Sequence, residues 1–336
     1  MTAHGRREYL PGAVRSVLEQ DLARSELEVL VVKDFSDSDL DGELDRDRVL
    51  HLETDEGPLG SKIALGVERT RGRLIAFLED DDLFAPGRLR RAISEFDQDP
   101  ALGYYRNGHR RIGAGGEPLS SEAYGTAHRR LERSGPRRIS PEDLDRSIGW
   151  LRRTDPDFNL SSMIIRREIL EASVPGLRGR AAAIDSSVFF AALAARASLL
   201  IDPAPLTLYR VHGSNASLWA GATPEAIVDR IRYQRTFLEG YRPIFEGLER
   251  TGPRAAVALA GSVYYGTCIL LRILSGDGGP RALLKDLWRL LKYRPASQVA
   301  ARPDIPLWAI AGIIAPRAAR AAFVQRRAHE GGRAGG

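Results

Sequence analysis

Short apolar runs alternate with amphipathic stretches through the N-terminal third of the chain. From Glu8 to Glu19 the positions Tyr9, Leu10, Val14, Val17 and Leu18 fall on one stripe at helical spacing. Leu27-Glu-Val-Leu-Val-Val32 and Val49–Leu52 have the length and composition of strands, and the first runs into a polar loop, Lys33–Asp39. Gly57-Pro-Leu-Gly60 signals a turn. Ser61–Arg71 then predicts a helix with Ile63, Ala64 and Val67 inward. Leu74-Ile-Ala-Phe-Leu78 is an unbroken apolar run, the pattern of a strand buried on both faces of a parallel sheet. Pro86 predicts the start of a helix through Phe96, because proline is tolerated in a first helical turn. Strand and helix alternating over short links predict an α/β fold with a doubly wound, mostly parallel sheet. Such a sheet usually opens with a strand. Only Met1–His4 precedes the first helix, so the first strand reads as truncated.

Gly103–Ile112 begins a second part. Gly113–Pro156, rich in Gly, Ser, Arg and Glu, reads as an excursion with little core of its own. Further strands are predicted at Asn159–Ile165, Leu199–Ile201 and Thr207–His212, a helix at Asp185–Ala197, and a loop at Gly213–Ser217. Beyond Pro224 the pattern is helical to near Gln325, and Gly331–Gly336 reads as frayed. The expected organisation is therefore residues 1–110, 111–220 and a helical C-terminal extension, 221–330. Ala255–Leu271 carries no charge but sits at the lower limit of about 17 residues for a bilayer-spanning helix. Its Gly261, Ser262, Gly266 and Thr267 favour a buried helix. Leu307–Ala315 is apolar but too short to span. With basic flanks at Arg302, Arg317 and Arg320 it predicts either peripheral membrane contact or packing within the protein or a homodimer.

Composition narrows the classes. A single cysteine, Cys268, excludes an intramolecular disulfide and a cysteine-based zinc site, and it fits a reducing compartment. The N-terminal residues are polar rather than a leader. The expected location is cytoplasmic, peripheral on the inner face of the membrane if the C-terminal helices bind it. The net charge is +5, and between Arg281 and Arg327 the only acids are Asp286 and Asp304. No zinc-finger spacing or aromatic-plus-basic RNA motif accompanies that charge, so nucleic acid is not an expected partner.

Candidate chemistry concentrates at Glu79-Asp80-Asp81-Asp82, directly after the Leu74 run. In open α/β sheets ligands bind at the carboxyl ends of strands. Four carboxylates placed there repel one another unless a cation neutralises them, and hard oxygen ligands suit Mg²⁺ or Mn²⁺. The same residues also read as a solvated acidic turn before a helix.

The order of these pieces resembles the family 2 glycosyltransferases of GT-A fold, over roughly Thr2–Ser217. Thr2-Ala-His-Gly-Arg-Arg-Glu-Tyr-Leu looks like the family's segment ending the first strand. Leu18-Glu-Gln20 looks like its Val-Leu-Gln piece, and Val32-Lys-Asp34-Phe-Ser36-Asp37 like its Val-Asp-Asp-Gly-Ser-x-Asp. Gly60–Gly72 resembles the glycine-rich loop and helix before the metal strand. Leu78–Leu89 is similar to the acidic signature followed by Pro and Arg-Leu, and Ile184-Asp185 and Tyr209–Ser217 to acceptor-side elements. His4, Lys33, Phe35 and Glu79 depart from the pattern.

The resemblance implies an inverting transfer of a sugar from a nucleotide-sugar donor, with a UDP-sugar favoured, to a hydroxyl of a glycan or lipid-linked acceptor. It implies Asp81 as ligand of Mg²⁺ or Mn²⁺, with Asp82 on the metal's water shell or capping the next helix, and His212 as a further contact to metal or diphosphate. Asp80 would meet the ribose and Asp34 the uracil imide, with Thr2, Ala3, His4 and Lys62 completing the donor contacts. Asp185 would be the general base, its competing role being a helix N-cap. Lys62 also reads as a solvated lysine. A non-catalytic nucleotide-sugar binder and an α/β phosphoryl-transfer hydrolase are the alternative functions.

Overall fold

The computed structural model describes residues 1–120, 126–213, 215, 223–294 and 304–332. The chain divides into two compact units. The first is built from Met1–Leu119, the segment ending at Leu144, and Arg153–Val211, and the second from Asp145–Arg152 and the chain from His212 onward.

In the first unit Thr2–Ala3 (β1), Leu30–Lys33 (β2) and Leu50–Glu53 (β3) form a parallel sheet in that order. Helix α1 (Leu10–Leu18) buries Leu10, Ala13, Val14 and Val17, the stripe read from the sequence. Helix α2 (Ser38–Arg46) starts within the last two residues of the expected polar loop, Lys33–Asp39, and continues where no element was expected. Asp37 caps it by accepting the Leu40 N–H at 3.2 Å, and only Leu40 and Leu44 are buried, so its acidic composition hid the helical period. Helix α3 (Leu59–Arg69) follows β3.

The second sheet contains Leu74–Ala76 (β4), Leu83–Phe84 (β5), Leu102–Ile112 (β6), Arg137–Ile139 (β7), Met163–Arg166 (β8) and Ser198–Arg210 (β9). The order is β4-β8-β6-β9-β5, with β7 also on β9. Of its pairs β6–β9 is parallel, and the others run antiparallel. β9 is one strand where the sequence suggested two. Pro203 and Pro205 cannot donate to the ladder, and the register shifts opposite Asn107–His109. Helix α4 (Arg88–Gln98) begins after Gly87 at φ +74°, so Pro86 lies in the preceding turn and not in the helix. Helices α5 (Thr126–Glu132) and α6 (Leu144–Thr154) occupy the presumed coreless excursion. Leu131, Ile139, Ile148 and Leu151 there are buried, so that segment does supply core. Helices α7 (Arg167–Glu171), α8 (Val174–Leu177) and α9 (Ile184–Ala194) complete the first unit, whereas most of α6 belongs to the second.

The short β1 joins the two sheets at their carboxyl ends. The Thr2 N–H donates to Leu78 C=O at 3.1 Å, and Met1 C=O accepts the Val32 N–H at 2.9 Å. Beside this junction a cavity of about 390 Å³ is lined by Leu30, Ile63, Val67, Leu74, Ile75 and Ile164. It leaves the three residues of β4 half-buried. The amino group of Met1 donates to Leu30 C=O at 2.7 Å, and burial pushes its pKa down to about 5.

The described part of the second unit is helical beyond Thr223, with α10 (Pro224–Thr251), α11 (Arg254–Ser275), α12 (Gly279–Lys292), α13 (Asp304–Ile314) and α14 (Pro316–Gly332). Ile269, Ile273, Leu283, Leu290, Ala309 and Phe323 lie in its core. Helix α11 is long and apolar enough to cross a bilayer. Half of its most apolar stretch is buried within the unit, and it contacts α10, α12, α13 and α14. Gly261 permits the close approach of Tyr293, whose ring would lie 2.6 Å from an added Cβ. Arg302 and Ser217 lie outside the described residues.

Candidate active site

The carboxyl ends of β1 and β2 meet around one buried cation. Lys62, on α3, is fully buried, so the solvated reading fails. Its Nζ donates to Ala3 C=O at 3.0 Å and to Asp34 Oδ2 at 2.6 Å, and lies 2.8 Å from His4 Nδ1. Burial and the Lys62 charge hold His4 below its ordinary pKa, which suits a neutral ring accepting from Lys62. Burial pushes the Asp34 carboxyl up. The Lys62 and His4 contacts outweigh that, and the net shift is downward. Asp34 keeps 30% of its side chain exposed and can therefore meet a ligand. Lys33 points elsewhere: its buried Nζ donates to Phe35 C=O at 2.7 Å and sits 3.1 Å from Asp41. The departure from the family pattern at that position thus serves α2.

The acidic run forms a tight turn between β4 and β5, with the Asp82 N–H donating to Glu79 C=O at 3.3 Å. Its charges are met by protein donors. Asp80 is fully buried, accepts the His4 N–H at 2.7 Å and lies 2.5 Å from Arg6 Nη2. Burial still leaves its pKa raised. The other arm of the Arg6 guanidinium pairs with Asp81. Asp82 accepts from Asn159 Nδ2 and from the Arg210 N–H, both at 2.9 Å. Burial, then the Asp81 charge, pushes its pKa up to about 7. Asp82 therefore brackets the end of β9 and the segment before β8. It does not cap the next helix, which starts six residues later at Arg88. Arg210 also donates Nε to Asp81 C=O at 2.8 Å, and its guanidinium lies 4.7 Å from the Tyr9 ring centroid.

Asp185 lies in the first turn of α9. The N-cap is Ala183, at φ 60°, so the capping role is also excluded. Burial, then the Asp157 charge, raises Asp185 to about 7, against the pull of its own and the Leu160 amide. Asp157 accepts from Ser186 Oγ at 2.7 Å. Glu79 is raised well above its ordinary value by burial and by the charges of Asp185, Asp82 and Asp81. The acidic turn and the head of α9 thus share one electrostatic field.

The glycosyl transferase family 2 model matches residues 1–172, just over half of the chain. The chain belongs to glycosyl transferase family 2. The fold is that of GT-A glycosyltransferases. The structure of S. aureus TarS 1–349 in complex with UDP-GlcNAc is similar at TM-score 0.57 and 16% identity, with 97% of this chain and 91% of that one covered. The mannosyltransferase PcManGT from Pyrobaculum calidifontis, in complex with GDP-Man and Mn²⁺, is similar at TM-score 0.52 and 16% identity, covering 99% and 86%. No curated protein matches the sequence of the transferase.

Of the residues expected at the site, the transferase brings together Ala3, His4, Asp34 and Lys62 in one cluster and Asp80, Asp81 and Asp82 in the neighbouring turn. Thr2 contributes its backbone. His212 opens the C-terminal unit, where its N–H donates to Asn215 Oδ1 at 2.6 Å. Arg6, Asn159, Asp157 and Arg210 were given no role from the sequence. Arg6 was legible as the first of two adjacent cations, Arg6-Arg7, directly after Gly5, whose φ of +72° turns the chain out of β1. Asn159 and Arg210 are isolated polar residues that only folding brings to the turn, and Asp157 is one that it brings to the head of α9.

A divalent cation must fit this donor set. Among the described residues no three His, Cys, Asp or Glu side chains gather as a metal cage. Mg²⁺ and Mn²⁺ do not require one, because one or two carboxylates and the phosphates of a substrate suffice. Asp81, with Asp80 beside it at the strand end, fits that shared type of site.

Proposed function

We propose that this transferase moves a sugar from a nucleoside-diphosphate sugar, with a UDP-sugar favoured, to an acceptor hydroxyl by a single inverting displacement. The observation that carries this reading is the shared edge. A partly exposed Asp34 steadied by Lys62 and His4, a carboxylate turn with Arg6 across it, and Asp185 at the head of α9 follow one another along the ends of the strands. Asp34 would accept the imide N–H of the base, and Asp80 would orient the ribose. Arg6, already drawn to Asp80 and Asp81, would turn its N–H groups to the diphosphate. Asp81 would hold a divalent cation, which when bound offsets charge on the leaving nucleoside diphosphate. The family resemblance would also give His212 a contact to the metal or the diphosphate. Asp185, poised near neutrality, would take the proton of the attacking hydroxyl. The UDP-GlcNAc bound to TarS and the GDP-Man bound to the mannosyltransferase support a nucleotide-sugar donor, and the Mn²⁺ of the second complex supports a divalent ion. The acceptor would be a hydroxyl of an envelope glycan or glycolipid.

A screen of nucleotide sugars for Mn²⁺-dependent thermal stabilisation tests the donor. Asp81→Asn and excess chelator should each remove both stabilisation and transfer. Full transfer in chelator would overturn the metal role, and stabilisation without transfer or donor hydrolysis would favour a binder.

A further inference from the structure

Eight large apolar side chains stand exposed among the described residues, and six of them lie on α12 and α13. Helix α12 is apolar on two stripes. Leu283, Leu287 and Leu290 face the core of the unit. Leu284, Trp288 and Leu291, one position on, form a second stripe that faces water, with Trp288 67% exposed. On the adjacent α13, Leu307, Ile310 and Ile314 are likewise exposed at helical spacing.

The charges around the outer stripe are of one sign. Arg281, Lys285 and Lys292 are exposed, and Arg289 is half-buried. The one acid of α12, Asp286, is buried and paired with Arg272 at 2.6 Å, so it does not offset them. Arg317 and Arg320 are exposed in the first turns after α13. A tryptophan beside leucines, ringed by long cationic side chains, suits the boundary between lipid headgroups and acyl chains. There the stems of Lys and Arg can lie along the apolar layer while their heads meet phosphate.

We infer that α12, with α13, is a peripheral docking surface for an anionic phospholipid bilayer, entered by Leu284, Trp288 and Leu291 and held by Arg281, Lys285, Arg289 and Lys292. Charge decides against a second copy as the occupant. A symmetric face built on this stripe would set these cations against their own counterparts, with no exposed acid on α12 to receive them. An anionic surface neutralises all of them. The inference stands independently of the donor and mechanism proposed above.

Flotation of the full chain with phosphatidylcholine vesicles, with and without phosphatidylglycerol, tests it. Binding is expected to the phosphatidylglycerol vesicles, with a blue shift of tryptophan emission, and is expected to weaken as salt is raised. Leu284→Ser/Trp288→Ser/Leu291→Ser, all at exposed positions, should reduce partitioning by about ten-fold or more. Lys285→Glu/Arg289→Glu, which leaves the apolar stripe intact, should reduce it by about twenty-five-fold, at about five-fold per basic residue. Circular dichroism checks that both variants keep their helices. No binding, equal binding to both vesicle types, or binding unchanged in both variants would overturn the inference. So would self-association of the full chain that the triple-serine variant abolishes without any vesicle binding, which would assign the face to a second copy.

Discussion

A general base works only when ionised, and burial makes ionisation harder. Asp185 has its pKa raised to about 7 by burial and then by the charge of Asp157. The rate should therefore climb as pH rises to about 7 and level off above it. At pH 6 only about one Asp185 in ten would be ionised. Asp185→Asn should lower kcat by about 10²–10⁴-fold, leave donor affinity nearly unchanged, and abolish the limb near neutrality. A pH–rate profile that keeps that limb in Asp185→Asn would assign it to another group. Arg6 raises a different question, since its guanidinium already neutralises Asp80 and Asp81. A metal ion must share those carboxylates with it. Arg6→Gln should raise the affinity of the ligand-free protein for Mn²⁺ by about ten-fold and weaken its hold on a nucleoside diphosphate. Calorimetric titration of Mn²⁺ reads the first effect, and equal affinities in the two proteins would show that Arg6 does not compete with the ion.

At the scale of elements, β1 carries much for its length. Its two residues connect the three-stranded sheet to the end of β4 and place His4 and Arg6 over the acidic turn. The cavity of about 390 Å³ beside it is lined largely by apolar side chains between β2 and β4. Strand edges flanking an apolar space favour an added strand, which pairs backbone groups and removes apolar surface from water. A chain lengthened ahead of Met1 by several apolar residues should therefore melt higher, by about 5 °C or more, and bind donor more tightly. Equal melting temperatures and donor affinities in the two chains would show that the cavity does not take such a strand.

At the scale of the molecule, each unit has its own core. One centres on residues such as Leu10, Val31, Phe96 and Tyr105, and the other on Ile273, Leu283 and Phe323. Units of this kind unfold separately when little couples them. Calorimetry should resolve two transitions. Donor with Mn²⁺, at about a hundred times its Kd, should move one of them upward by about 5 °C and leave the other in place. A single transition with equal calorimetric and van't Hoff enthalpies would show that the units unfold as one.

Much of this protein is fixed locally. The helical stripe of α1 and the long helical C-terminal region follow from periodicity, because a buried face demands apolar residues at the period of its element. The run before the acidic turn was expected to be buried on both faces of a parallel sheet, yet β4 is a half-buried end strand that pairs antiparallel with β8. The order of motifs from Thr2 to Asp185 was enough to point to the family. Other features depend on residues far apart in the chain. Helix α2 lacks a strong apolar stripe and rests on a cap and two buried leucines. The antiparallel pairs of the second sheet and the single long β9 depend on partners that no local pattern names. Lys62 looks like any surface lysine until folding buries it among Ala3, His4 and Asp34. Asp82 and Asp185 were each open to a capping role that helix boundaries then excluded. Local composition sets which segments can form, because propensity and burial act over a few neighbouring residues. Which charge meets which, and which carboxyl is lifted toward neutrality, was decided by tertiary structure, because desolvation and Coulomb forces depend on distance in space.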